Sequence, residues 1–190
     1  DKGSIFFADA TTGSNAEKKG QISYEQNNEI MTFFTNHTKA MEIDAAGHIT
    51  KPLQPAFLVY PNSTQSNMAN DEVLVFDLEV YDVNADFASN TFTAPVTGKY
   101  QLNTMIRFGA LDSAANYYAL FIVTSNRSYL FIFDPDFGQD AVWWTVPLSV
   151  LADMDANDTC TIQVYQDGGT QQTDLDSGTG SCHFSGYLVA

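Results

Sequence analysis

The stretch Phe92-Thr-Ala-Pro-Val-Thr-Gly-Lys-Tyr100 decides the fold that we predict for this chain. It reads as the tip of a strand, a turn at Pro95 to Gly98 and the start of an alternating strand, because proline and glycine favour turn geometry. A second stretch, Phe184-Ser-Gly-Tyr-Leu-Val-Ala190, reads as a final strand. Together they predict strands joined by tight turns.

The sequence around these stretches predicts strands throughout residues 53–190. Ala56 to Tyr60 forms a first strand that Pro61 ends, and Val73 to Val80 alternates as a strand would. Further short apolar runs, each bounded by Gly, Asn, Asp or Ser, bring the total to about eight to ten strands. A chain segment of this kind, with no helical pattern, predicts an all-β sandwich.

Residues 53–190 also resemble a known family. With Met154-Asp-Ala-Asn-Asp-Thr159 lying between the two stretches, they are similar to the complement globular-head family, whose members are tumour-necrosis-factor-like jelly rolls. Tyr81 to Phe87 resembles the loop before the family's Phe-containing turn, with Asn and Asp in place of its usual glycines. The resemblance implies a jelly-roll head that forms a homotrimer and binds a ligand.

Residues 1–52 have a different pattern. Five short apolar clusters, at Ile5, Ile22, Met31, Met41 and Ile49, are separated by Gly and Asn turns, which predicts five brief strands. So few short strands cannot bury a core alone. The segment resembles the β-rich stalks of bacteriophage tail fibres, which implies three intertwined chains and further fibre or tail proteins at the N-terminus. A proline-containing connector then leads into the head.

Charge limits the partners of this protein. The net charge is −15, and from Leu53 onward three Lys or Arg stand against sixteen Asp or Glu, a net charge of −13. Nucleic acids and anionic membrane surfaces are bound mainly through Lys and Arg, so we expect neither as a partner. No apolar run approaches the roughly 18 residues that would span a bilayer, so we expect no membrane insertion. Neutral sugars, cationic patches and cation-bridged ligands remain open.

Aromatic residues supply the candidate binding surface. Trp143 and Trp144 are adjacent, so a strand would place them on opposite faces. Trp144 is in phase with Val146, which predicts a core position. Trp143 is then outward, where it packs against a neighbouring subunit or stacks on a ligand such as a sugar ring. Tyr117 and Tyr129 raise the same two alternatives.

Two acidic loops are candidate calcium sites. Asp153 and Asp155, with Asn157, space oxygen ligands as a calcium loop does, but the following positions depart from the helix-loop-helix motif. Asp134 and Asp136, with Asp140 nearby, form a second loop of this kind. Each loop is either a cation site or a plain turn.

The sequence contains two cysteines and three histidines, which are few candidates for a disulfide, a metal site or a catalytic site. Cys160 and Cys182 each lie near a strand start, so in antiparallel strands they would be about 20 Å apart, too far for a disulfide. We therefore expect two buried free thiols. No phosphate loop, Gly-x-Ser-x-Gly elbow or His-Glu-x-x-His motif is present in the sequence, and we expect no enzyme.

The two resemblances together imply the receptor-binding tip of a trimeric fibre, most simply a bacteriophage tail fibre or spike that attaches a virion to a glycan or protein receptor on the host cell. Such a protein would be located in the virion, or otherwise be extracellular or at a cell surface. One alternative is a module that trimerises and caps the fibre without touching a receptor. Another is a tailspike that cleaves surface polysaccharide.

Overall fold

A computed structural model describes residues 1–8, 19–170, 172–178 and 180–190 of the chain. The chain divides into two compact units, Asp1–Gln54 and Pro55–Ala190. The division therefore falls at the second proline of the connector that the sequence analysis identified. Each unit has its own antiparallel sheet structure.

The first unit, in its described residues, is one antiparallel sheet in which each strand pairs with the next along the chain. Every apolar cluster identified in the sequence lies in one of its strands, so the predicted order is confirmed. The strands are β1 (Lys2–Phe7), β2 (Gly20–Glu25), β3 (Ile30–Thr35), β4 (Thr38–Ile43) and β5 (Ile49–Thr50).

This first sheet lacks a hydrophobic core of its own. Among the described residues of the unit, only Ser23 and Thr32 are fully buried, and both are polar. Large apolar side chains are exposed instead, with Ile5 at 62% and Ile49 at 61%. Phe6 and Phe7 are exposed as well. Among the described residues no second layer covers this sheet, so its apolar side chains are exposed or only half-buried.

The second unit is a sandwich of two antiparallel sheets. Sheet A has the strand order β14-β11-β17-β6-β8, with β16 also on β11; sheet B has the order β13-β12-β15-β10-β9, with β7 also on β15. The strands are β6 (Ala56–Tyr60), β7 (Glu72–Val73), β8 (Leu78–Asp82), β9 (Phe87–Ala88), β10 (Thr91–Thr93), β11 (Gly98–Leu111), β12 (Ala115–Thr124), β13 (Ser128–Phe133), β14 (Ala141–Met154), β15 (Thr159–Gly168), β16 (Asp174–Leu175) and β17 (His183–Leu188). The chain passes repeatedly from one sheet to the other, and strands distant in sequence, such as β11 and β17, pair side by side, as in a jelly roll.

Strand alternation fills the space between the two sheets. On β11 every second side chain from Tyr100 to Phe108 is buried, Thr104 included, and the side chains that alternate with them face outward. Rings from both sheets meet at the centre: Phe57 of sheet A lies 4.7 Å from Phe92 of sheet B, measured between ring centroids. This contact connects the two sheets through the core.

One predicted strand is in fact two. The sequence indicated a continuous strand from Val73 to Val80, but Val73 pairs with β15 in sheet B and Leu78 pairs with β6 in sheet A. Between them the chain crosses from one sheet to the other, and Leu74 and Phe76 are buried on the way. The apolar alternation in Val73 to Val80 therefore has two sources: the two short strands, and the burial of side chains where the chain crosses between the sheets.

Both cysteines are free and buried, as predicted. The reason differs from the one inferred from sequence. Cys160 lies on β15 in sheet B, whereas Cys182 immediately precedes β17 in sheet A, so the two strands are not neighbours. Burial raises the pKa of both thiols, which therefore stay protonated at neutral pH.

The prediction for Trp144 is wrong. The inward phase holds at Val146, which is buried, but Trp144 is 41% exposed. It lies on β14, the edge strand of sheet A, against the rings of Phe133 and Phe137 at centroid distances of 6.5 and 4.7 Å. On an edge strand the inward phase alone does not ensure full burial, because one side of the strand has no neighbouring strand in the sheet.

We expect denatured, unreduced protein to react with two equivalents of a thiol reagent. The native protein should react far more slowly at pH 8, because both thiols are buried and their pKa values are raised. A chromogenic disulfide reagent measures both. Finding no reactive thiol after denaturation would show that a disulfide exists.

Truncating an aromatic side chain should destabilise the protein more at the centre of the sandwich than at its edge. Phe57→Ala removes a fully buried ring and should lower the free energy of unfolding by about 3 to 5 kcal/mol. Trp144→Ala should cost clearly less, because part of that indole is already in solvent. Urea denaturation measures both variants, and equal losses would contradict the assignment of Trp144 to the edge.

Candidate functional site

Trp143 stands on the outer face of sheet A, where it is 55% exposed. Its partner across the strands is Gly109 of β11. A Cβ atom at position 109 would come within 3.0 Å of Cζ3 of the indole. Because glycine has no Cβ, the indole is able to lie against the backbone of β11 while one side of it stays in solvent.

Arg107 holds the indole from a second direction. Its guanidinium carbon lies 4.8 Å from the centre of the Trp143 ring, in cation–π contact. The guanidinium is itself fixed by Asp176, whose carboxylate accepts hydrogen bonds from Nε at 2.6 Å and from Nη2. A planar guanidinium paired through two nitrogens has little rotational freedom, so the aromatic surface is preorganised.

The short strand β16 brings two carboxylates beside Trp143. Asp174 pairs with Gly109 across the strands, and the backbone N–H of Asp176 donates to the carbonyl oxygen of Arg107 at 3.0 Å. Residues 174 and 176 are two apart on an extended chain, so their side chains lie on the same face. Both line an open depression of about 360 Å³ that Trp143 walls on one side.

We call this depression, lined by Thr64, Gly109, Ala110, Asp140, Ala141, Val142, Trp143, Gln172, Asp174 and Asp176, the Trp143 depression. A second open depression of about 380 Å³ lies along Trp143, Trp144 and Phe137. Three carboxylates line the first, and the guanidinium of Arg107 contacts two of its lining side chains. Its formal charge is therefore negative.

Two aspartates anchor the chain that leads into β16. The Asp140 carboxylate accepts from the backbone N–H of Ser113 at 3.0 Å and from the Gln172 amide at 3.0 Å. Asp112 is buried and accepts from the backbone N–H groups of Thr170 and Ala114. These hydrogen bonds stabilise the charged carboxylates and lower the pKa of each.

The structure does not bring Tyr117 and Tyr129 to Trp143. Tyr117 lies on sheet B, half-buried, with its ring 5.9 Å from that of Tyr165. Tyr129 packs against the hydrophobic core from the edge strand β13. Neither residue lines the Trp143 depression. Of the three aromatic residues predicted to bind a ligand, Trp143 is the one beside an open depression with polar walls.

The candidate calcium ligands form two separate groups. Asp134 and Asp136 lie in the loop before β14, and Asp153 and Asp155 lie at its other end, about 40 Å away for a strand of this length. Within the described part of the chain, no three His, Cys, Asp or Glu residues are grouped so as to hold a metal ion.

Hydrogen bonds within these two loops are those of turns. Asp134 accepts from the backbone N–H of Asp136 at 3.0 Å. Asp153 pairs with Lys99, and the Asp158 carboxylate accepts from the backbone N–H of Asp155 at 2.8 Å. The turn interpretation accounts for these contacts without a cation.

Sequence reasoning missed the acidic wall of the depression. Asp174 and Asp176 stand in a Gly-, Gln- and Thr-rich stretch that gives no strand pattern of its own. Their spacing of two was the available signal, since it places both side chains on one face of any extended segment. That they meet Trp143 depends on β16 pairing with β11, which is a contact distant in sequence.

Comparisons with known proteins identify the fold of the second unit. No family model matches the sequence, and no curated protein does. Among solved structures, the globular domain of the zebrafish complement 1qA protein is similar with a TM-score of 0.56 and 21% identity, over 72% of this chain and 98% of that one. Murine APRIL is similar with a TM-score of 0.53 and 9% identity, over 72% of this chain and 99% of that one.

These similarities confirm the predicted jelly roll of the complement globular-head and tumour-necrosis-factor type. At identities this low they describe the fold alone. No helix among the described residues is both long and apolar enough to cross a membrane.

Acid should loosen the segment that carries Asp174 and Asp176. Because the pKa of Asp112 is lowered in the folded protein, its contribution to stability is present above the ordinary aspartate pKa and is lost as pH falls through the depressed value. Asp112→Asn should therefore reduce stability at pH 7, and the difference from the wild type should shrink toward pH 3. Urea midpoints across pH measure this.

The exposed Asp136 provides the matched control for this comparison. Asp136→Asn should leave the urea midpoint at pH 7 close to that of the wild type. If Asp112→Asn were equally neutral at pH 7, the anchoring role of Asp112 would be wrong.

Proposed function

We propose that this protein is the receptor-binding tip of a homotrimeric fibre, of the kind that a bacteriophage tail carries to attach the virion to its host. The observation that carries the proposal is the contrast between the two units. The head has a hydrophobic core of its own, whereas no apolar side chain among the described residues of the first sheet is fully buried and several are exposed. A unit of this kind is completed by other chains.

Assembly through the first unit supplies the missing second layer. Ile5, Phe6, Phe7 and Ile49 are exposed in the single chain, and burying them between copies removes that apolar surface from water. Closed symmetry is the usual outcome when identical chains cover one another. Three copies agree with the fibre-stalk resemblance of residues 1–52 and with the trimers that the head's resemblance implies.

The head offers a second apolar surface at the edge where β13 and β14 end the two sheets. Phe131, Ile132, Phe137 and Trp144 are exposed there. An aromatic edge of this kind is suited to contact a neighbouring subunit, since exposed apolar edges are otherwise aggregation hazards. Trp143 borders this surface through the second depression, and it also walls the Trp143 depression, where it is suited to contact a receptor.

Three identical heads, each with one weak binding site, attach firmly to a cell surface. When identical heads engage a cell surface together, the second and third contacts become intramolecular, and avidity exceeds single-site affinity by about 10² to 10⁴. An assembled tip therefore needs only a modest site on each head. The function proposed is binding without turnover, at the surface of a virion or otherwise outside the cell.

A second candidate is a module that assembles and caps the fibre without touching a receptor, and the aromatic edge favours it. Adsorption of the isolated protein to host cells separates the two candidates, because the capping module would not adsorb. A polysaccharide-cleaving tailspike would release reducing ends from surface glycans.

The assembled mass should be three times that of one chain. A chain of 20.9 kDa should scatter light as a particle of about 63 kDa at micromolar concentration, because the first sheet requires partners. The variant Ile5→Lys/Ile49→Lys places charges on the apolar surface and should shift the mass toward one chain. A wild-type mass of 20.9 kDa at this concentration would show that the protein is a monomer and would contradict the proposed trimer.

Adsorption to bacterial cells should rise with salt. The head carries a net charge of −13, and most bacterial surfaces are anionic, so repulsion opposes the approach. Screening shortens the reach of that repulsion from a Debye length of about 30 Å at 0.01 M salt to about 10 Å at 0.1 M. Binding of labelled protein to cells across sodium chloride measures the trend, and a steady fall would point to a cationic receptor instead.

A further inference from the structure

The charge and shape of the Trp143 depression define what it is able to bind. We propose that it is a binding site for one uncharged hexopyranose unit of a surface glycan, stacked on the exposed indole with its hydroxyl groups on the flanking carboxylates. This inference deepens the proposed function and rests on it, because it names the chemical class of the receptor.

The dimensions of the depression fit a single sugar ring. Its volume of about 360 Å³ is at the lower end of the range of ~300 to 1,000 Å³ for small-molecule sites. Trp143 supplies a flat apolar surface, and a pyranose ring presents a flat face of C–H groups to match it. The indole is already held between Gly109 and Arg107, so little side-chain freedom is lost on binding.

The polar groups are those that a polyol requires. A carboxylate accepts hydrogen bonds only, and sugar hydroxyls donate them. Asp174 uses Oδ1 to accept from the backbone N–H of Asn67 at 2.9 Å, which orients the side chain and leaves Oδ2 as the further acceptor. Asp176 uses Oδ2 for Arg107, so its Oδ1 is likewise the further acceptor. Both side chains are fixed before any ligand arrives.

Charge excludes an anionic sugar, because Asp140, Asp174 and Asp176 repel a carboxylate or sulfate on the ligand. A cationic sugar is attracted by the same carboxylates, but one stacked on the indole would compete with the guanidinium of Arg107 for the ring. A neutral ring stacks on the indole without that competition, and its hydroxyl groups donate hydrogen bonds to the carboxylates.

The two tryptophans allow a direct test. Trp143 and Trp144 are the only ones in the sequence, so a ¹⁵N-labelled sample of the full chain gives two indole N–H resonances, which a Trp144→Phe variant assigns. The probes are methyl glycosides of glucose, mannose, galactose and N-acetylglucosamine as neutral sugars. Methyl glucuronide and the methyl glycoside of glucosamine are the anionic and cationic comparisons.

We expect at least one neutral glycoside to shift the Trp143 resonance, with the charged ones binding more weakly. Isothermal titration calorimetry then compares the variants, because those that replace Trp143 lack its resonance. Trp143→Ala should weaken that binding at least about tenfold, the loss expected of a central aromatic contact. Trp143→Phe should retain part of it. Gly109→Ala should also reduce it, because the added Cβ would displace the indole.

Tyr187→Ala is the matched control, since Tyr187 is 49% exposed on the outer face of the same sheet but does not line the depression. It should bind the glycoside as the wild type does. If no neutral glycoside shifts the Trp143 resonance, or if a charged one binds more tightly, the proposed ligand class is wrong.

Adsorption to cells separates this inference from the function on which it rests. If the wild type adsorbs and Trp143→Ala adsorbs equally, the fibre-tip function stands and the Trp143 site is refuted. If the wild type adsorbs to no candidate host, the function itself fails, whatever the glycosides show. Loss of adsorption in Trp143→Ala alone, with Tyr187→Ala unaffected, supports both.

Discussion

The contact between Phe57 and Phe92 connects the two sheets of the head, and the division of the head into an inner and an outer side depends on this packing. The rings stack at 4.7 Å, and Phe184 meets Phe57 edge-on at 4.9 Å. Once the sheets face each other through these rings, alternation decides which side chains of β11 and β14 face inward. The residues left outside, Arg107 and Trp143 among them, form the surface on which the proposed site is built.

The register of β14 and β16 on β11 then brings the residues of the proposed site together. Antiparallel pairing sets Trp143 opposite Gly109 and brings Asp174 to the other side of the same glycine. One residue without a side chain therefore lies between an indole and a carboxylate, and the space it leaves becomes part of the depression. The carboxylates of Asp112 and Asp140 accept hydrogen bonds from Thr170 and Gln172, which precede β16, so the arrangement is fixed by contacts distant in sequence.

The first unit differs from the head in how its apolar side chains are covered. Its sheet satisfies backbone hydrogen bonds along the whole meander, but among its described residues it has no layer to cover its apolar side chains. This contrast in burial is the basis for proposing that the head recognises the receptor and the first unit assembles the fibre. In this account the acidic head stays soluble and selective, and multivalency compensates for a modest site on each copy.

Local sequence patterns were sufficient to predict most of the fold. Alternation and turn residues predicted the five strands of the first sheet and the β-rich head, because both signals act over a few residues. Predictions failed where distant packing decides. Trp144 kept its phase yet is partly exposed on an edge strand, and Val73 to Val80 split between the sheets. The acidic side of the depression was not predicted, since the pairing of β16 with β11 has no local signature.

The most direct test of the central claim is hydroxyl-radical footprinting of the protein bound to cell envelopes of its host. Trp143 and Tyr187 are exposed to similar extents on one sheet face, so their oxidation rates in the free protein provide a paired reference. The account predicts that binding protects Trp143 from oxidation while Tyr187 stays reactive. Equal oxidation of Trp143 in the free and bound protein would contradict it.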